Sequence, residues 1–122
     1  MATYGAAIKW AANESSEDFL KGRFSRAHDI SFDGGIKVPG SASPHVVGKW
    51  AVEAAVDPEE MLVAALSSCH MLSFLHLARV AGFTIATYDD HAEGVLEEVA
   101  PGRQAIQGHA QAEDRVGGQS SR

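Results

Sequence analysis

Apolar and polar positions alternate over residues 3–12 and again over 24–38, the period-two pattern of β-strands. In the run from Phe24 to Phe32 the even positions carry Phe24, Ile30 and Phe32, while the odd ones carry Ser25, Ala27, Asp29 and Ser31. A strand here turns its even face, with Arg26 and His28 on it, toward the core. Asp33-Gly34-Gly35 predicts a turn and Ile36-Lys37-Val38 a returning strand. The stretch from Pro39 to Val56 holds Pro39, Gly40, Ser41, Ser43, Pro44 and Gly48, and reads as a long loop with one short strand around Trp50.

The pattern then changes to that of a helix. Asp57 is a capping residue, Pro58 suits the first helical position, and Glu60 stands where a capping box needs it. Glu59 and Glu60 also complement the positive end of the helix dipole. Apolar residues fill nearly every face through Val80, and Gly82 is placed to end a helix of about 36 Å. A helix apolar on all sides requires burial, and one small domain has little to cover it with. The pattern therefore predicts a homodimer in which two such helices lie against each other.

Two further strands are predicted over 83–88 and 92–98, with a turn at Pro101-Gly102. From Gln107 onward Val116 is the one aliphatic residue larger than Ala, and no period is visible. Residues 1–106 therefore read as the domain and 107–122 as an irregular tail, too polar to offset its own ordering entropy.

Composition narrows the functional classes. The 122 residues include 10 Lys and Arg against 16 Asp and Glu, a net charge of -6, which argues against nucleic acid or an anionic membrane as partner. One cysteine excludes an intrachain disulfide and a zinc site built on paired cysteines. Met1 to Trp10 lacks the charged start and apolar stretch of a signal peptide, and Ser67, Ser68, His70, Ser73, His76 and Arg79 interrupt the apolar run from Met61 to Ala81. The expectation is a cytoplasmic protein without a membrane span.

Cys69 falls in the middle of the predicted helix, with Ala65, Leu66, Leu72, Ser73 and His76 as its helical neighbours. A cysteine so placed is either a small core hydrophobe or, beside a cation, a reactive thiolate. Arg26 raises the second possibility, because on the inward face of its strand its guanidinium needs a carboxylate or thiolate partner. If the strand is an edge or bulged, Arg26 instead reaches water; if the register slips by one residue, Arg23 takes its place. His28 reads as a structural histidine. Glu60 suits a first-turn carboxylate and nothing more. Glu59 lies ten residues before Cys69, about 15 Å along a straight helix, so the two meet only through a partner chain's antiparallel helix or a helix break. Cys69-His70 and His76 do not form a metal site, since adjacent helical residues face about 100° apart and no third ligand is placed. No cofactor is implied. Gly34-Gly35 lacks the Lys-Ser/Thr of a phosphate loop.

The segment from Asp57 to Met71, Asp-Pro-Glu-Glu-Met-Leu-Val-Ala-Ala-Leu-Ser-Ser-Cys-His-Met, resembles the central helix of the OsmC/Ohr superfamily of osmotically inducible and organic hydroperoxide resistance proteins. Phe24-Ser25-Arg26-Ala27-His28 followed by Phe32-Asp33-Gly34-Gly35 resembles the N-terminal hairpin of its OsmC-like branch, and Leu77 to Phe83 fits the helix exit. The resemblance spans residues 8–106. It implies an α+β fold with N-terminal antiparallel strands packed on a long buried central helix, an intertwined homodimer, and thiol-dependent reduction of organic hydroperoxides. Cys69 would be the peroxidatic thiolate, Arg26 would hold it charged and polarise the O–O bond, and Glu59 would orient Arg26.

Members of the superfamily continue into further strands, a second helix and a resolving cysteine, which this chain does not carry. Read one nucleotide later with suitable codons, Gln107–Arg122 becomes Lys-Val-Thr-Leu-Arg-Pro-Lys-Ile-Glu-Trp-Ala-Ala-Lys-Ala-Pro, which resembles the superfamily's next strand. A shifted reading frame is thus one expectation for the tail. With the sequence as it stands, Cys69 depends on an external thiol or dithiol as its reductant.

Overall fold

The computed structural model describes the backbone of residues 1–100, 103–109 and 112–115, and side chains as far as Glu97. The chain divides into two units, Met1–Pro58 and Glu59–Arg122. Antiparallel strands at the N-terminus and one long central helix give an α+β fold.

In the first unit β1 (Ala6–Lys9), β2 (His28–Phe32) and β3 (Lys37–Gly40) form an antiparallel sheet in the order β1-β2-β3. Ile8 faces Ile30 across one ladder and Ile30 faces Val38 across the other. Ile30 is buried to 5 % exposure between them, and Gly40 of β3, opposite His28, is buried too. Only part of the expected 24–38 hairpin is strand. β2 begins at His28, so Phe24 and Arg26 lie in the loop that precedes it. The backbone groups of this loop bond to groups outside the sheet ladder, which ends the strand before it reaches them.

A short helix, α1 (Ser16–Leu20), occupies a stretch for which no element is predicted; the Ser15 hydroxyl caps it by accepting the Asp18 N–H at 3.1 Å. The expected loop of 39–56 contains α2 (Pro44–Val47), capped by Ser43, and a 3-10 turn over Gly48–Trp50 where a strand is predicted. Ser41, 1 % exposed, ties this loop together. Its hydroxyl accepts the Val52 N–H at 2.9 Å and its backbone N–H reaches Val56 O at 3.1 Å.

The helix α3 (Pro58–Val80) begins and ends where its signals place it. At its C-terminus Gly82 N–H donates to Arg79 O and Phe83 N–H to Ala78 O, the paired bonds of a Schellman motif, with Gly82 at φ 90°. Within one chain α3 carries no buried residue, and Leu62, Leu66, Leu72, Leu77 and Val80 are 44–65 % exposed. The described residues of one chain do not provide the cover that so apolar a helix requires. By length and composition alone the helix could also cross a membrane, with a mean hydropathy of 1.6 over its most apolar window.

Beyond the helix, β4 (Thr87–Asp90) pairs with β7 (Ala112–Arg115), and β5 (Glu93–Ala100) pairs with β6 (Arg103–His109), both antiparallel. Strand therefore occupies parts of 107–122, where the sequence reads as irregular. The Pro101-Gly102 turn, like residues 110, 111 and 116–122 of the tail, lies outside the described residues.

Candidate functional site

Arg26 belongs to the first unit and sits in the loop that joins α1 to β2. Local bonds pin the loop's backbone. Ser25 N–H donates to Glu14 Oε2 at 3.1 Å, and Trp10 Nε1–H donates to Ser25 O at 3.0 Å. Arg26 N–H donates to Trp50 O at 3.0 Å, Ala27 N–H to Ser25 Oγ at 3.2 Å, and the His28 ring, through Nδ1, to Arg26 O at 2.8 Å. A carbonyl can only accept, so in this bond His28 Nδ1 is the donor.

The Arg26 side chain folds back over its own loop. Nη1 donates to Gly22 O at 3.3 Å and to Phe24 O, and the guanidinium carbon stands 3.4 Å above the centroid of the Phe24 ring. Phe24 in turn meets Phe19 at 4.6 Å and Trp10, edge-on, at 5.7 Å between centroids. Arg26 is half-buried, but in a loop and not on the inward face of a strand, and backbone carbonyls and an aromatic face supply its described contacts within the unit. Sequence reasoning missed this ring cluster. Arg23, the alternative arginine, is exposed, with its N–H donating to Asp18 O at 2.9 Å.

Glu59 and Cys69 belong to α3. Glu59 is half-buried in the first turn, and Cys69 is a free, exposed thiol at mid-helix. The helix is continuous between them, so the separation of about 15 Å stands and no helix break brings them together.

At about 100° per residue, five of the eight half-buried positions of α3 (Val63, Ser67, Met71, Phe74, Ala78) gather on one side. That side meets β4, where the Ser67 hydroxyl donates to Asp90 Oδ2 and Phe74 lies 5.6 Å from Tyr88 between ring centroids. Cys69 faces roughly the opposite way. It lies in an exposed stripe of Leu62, Ala65, Leu66, Leu72 and Val80, with Ser73 and His76 beside it. Within one chain the Cys69 thiol thus lies at the centre of an open apolar strip. Among the described residues no group of three or more His, Cys, Asp or Glu is arranged to hold a metal ion.

No protein-family model matches the chain, and no curated protein does. Among solved structures it is similar to an OsmC-like protein of unknown function from Vibrio cholerae O1 biovar eltor, with a TM-score of 0.82 and 41 % sequence identity. The similarity covers 98 % of this chain and 79 % of that one. Identity at this level over nearly the whole chain, with the central helix and N-terminal strands in place, establishes that the chain belongs to the OsmC superfamily.

Proposed function

We propose that the protein is a thiol-dependent peroxidase that reduces small organic hydroperoxides. The observation that carries this reading is the position of Cys69, the chain's one cysteine, exposed at the centre of the apolar strip on α3. The Cys69 thiolate attacks one peroxide oxygen. A sulfur–oxygen bond forms, the O–O bond breaks, and the electron pair leaves with the alkoxide, which takes up a proton and departs as an alcohol. Sulfur has lost two electrons and is left as a sulfenic acid. One thiol of an external dithiol, such as a lipoyl group, then attacks this sulfur, releases water and forms a mixed disulfide. The second thiol displaces Cys69, which is restored while the dithiol leaves as its disulfide.

Arg26 serves this chemistry as the cation that favours the thiolate and meets the charge developing on the leaving oxygen. Glu59 orients it through a charge-assisted pair in the assembled homodimer. The apolar strip around Cys69 suits the organic half of a hydroperoxide better than it suits hydrogen peroxide.

The exposed leucines of α3 also favour a second reading, a non-catalytic member that dimerises and holds an apolar ligand. Cys69→Ser separates the two. The expected result is loss of dithiol-dependent hydroperoxide consumption to the uncatalysed background with the circular dichroism spectrum unchanged, and one added oxygen on Cys69 of the wild type in the mass spectrum after one equivalent of hydroperoxide. Substantial turnover by the serine variant, or a wild-type thiol that stays unoxidised, rejects the peroxidase.

A further inference from the structure

We propose that Phe24 is the positioning residue for Arg26: its ring, held by Phe19 and Trp10, fixes the plane of the guanidinium and so sets how fast Cys69 reacts. The proposal rests on the peroxidase reading for its rate effect, and on the first unit alone for its geometry.

The loop backbone does not decide where the guanidinium goes. Glu14, Trp10, Trp50 and His28 hold Ser25 and Arg26 at both their N–H and C=O groups, so the Arg26 Cα is fixed while the side chain keeps its own torsions. An arginine left to those torsions loses considerable rotamer entropy each time it is used. The Phe24 ring removes that freedom, with the guanidinium carbon 3.4 Å above its centroid. Stacking occupies the flat face of the cation and leaves its edges available for hydrogen bonds. Nη1 is engaged by the carbonyls of Gly22 and Phe24. The Nε–Nη2 edge is the one that grips a carboxylate or oxyanion with two parallel bonds, and the two bonds to the loop carbonyls are made by Nη1 instead. The ring is itself pre-set: Phe19 packs on it at 4.6 Å, Trp10 meets it edge-on at 5.7 Å, and the Trp10 indole N–H is tied to Ser25 O at 3.0 Å. Side chains from two other segments thus hold the Phe24 ring, and that ring carries the arginine.

The test uses the full-length protein with Phe24→Leu, Phe24→Tyr and Arg26→Ala, alone and combined, and two readouts. In stopped-flow oxidation of Cys69 by an organic hydroperoxide, Phe24→Leu is expected to lower the second-order rate constant by about three- to thirtyfold, the range of a cation–π contact between exposed and desolvated settings. Phe24→Tyr retains the ring and stays within about twofold of wild type. In the Arg26→Ala background Phe24→Leu has no further effect, because the two act as one unit. An undiminished rate in Phe24→Leu, or an equal loss with Arg26 absent, overturns the proposal. The second readout is the Arg26 Nε–H resonance, assigned by its disappearance in Arg26→Ala. The ring above it shifts this signal upfield in the wild type, and Phe24→Leu or an unfolded chain returns it to the position of an exposed arginine. A wild-type signal already at that position overturns the proposal whatever the activity. A wild-type thiol inert to hydroperoxide together with an upfield-shifted Nε–H rejects the peroxidase and the rate effect that depends on it, leaving the seat as a structural feature only.

Discussion

Gly40 stands where β3 passes closest to β2, opposite His28 in the register. A Cβ built there would lie 2.5 Å from His28 Nε2 and 2.7 Å from Ile30 Cδ1, closer than real contacts allow. Neither neighbour yields easily, because Ile30 is buried and the His28 ring is tied through Nδ1 to Arg26 O at 2.8 Å. Gly40→Ala is therefore expected to destabilise the protein by about 1–3 kcal/mol, as overpacking does. Gly34→Ala, at a turn position where nothing lies within 4 Å, is expected to stay within about 0.5 kcal/mol of wild type. Urea unfolding measures both, with the slope unchanged and the midpoint lower for Gly40→Ala alone. Displacing the His28 ring also loosens the bond that anchors the Arg26 backbone, so in the peroxidase reading the same variant lowers activity beyond its loss of stability.

Elements differ in how plainly the sequence announces them. α3 was legible because its signals are local and agree: Asp57-Pro58 at one end, Gly82 at the other, and a long apolar run between. Gly82 at φ 90° anchors the C-terminal motif, so Gly82→Ala forces a side chain into the left-handed region and is expected to cost about 1 kcal/mol, read as a lowered thermal midpoint of the helical signal at 222 nm. α1 is faint in the sequence because a run from Ser16 to Leu20 is too short to show a period, although Ser15 caps it through the Asp18 N–H. The start of β2 departs from the alternating pattern for a different reason. Residues 24–27 alternate as a strand should, yet Ser25 bonds to Glu14 and Trp10, whose distance along the chain hides them from any local pattern. The candidate site divides the same way. Cys69 and its helical neighbours follow from spacing alone, whereas the aromatic face under Arg26 exists only once the loop has closed and α1 has brought Phe19 alongside.

At the scale of the whole molecule the unmet demand is the apolar stripe of α3. Leu66 and Leu72 are 59 % and 60 % exposed on the side that carries Cys69, and covering what remains open of each is worth about 1–2 kcal/mol. Either lipid or protein can cover a helix of this length. Lipid is the poorer fit, because Ser67, Ser68, His70, Ser73, His76 and Arg79 would bring polar groups into the hydrocarbon. A second copy presents the same stripe and allows the small and polar positions to find partners, so a two-fold dimer is the expected state in detergent-free buffer. Each chain carries a net charge of -6, so the copies repel through solvent while their apolar faces attract; added salt screens the first effect and is expected to tighten the dimer. Leu66→Asp places a charge within the interface and is expected to shift the protein to monomer or aggregate in sedimentation velocity. Hydroperoxide turnover is expected to fall with dimer population although Cys69 is untouched, because Glu59 and Cys69, about 15 Å apart on one helix, can share a site only across two chains. A wild-type protein that sediments as a monomer at tens of micromolar while turning over hydroperoxide at full rate would contradict this, since its thiol would then react without any second helix beside it.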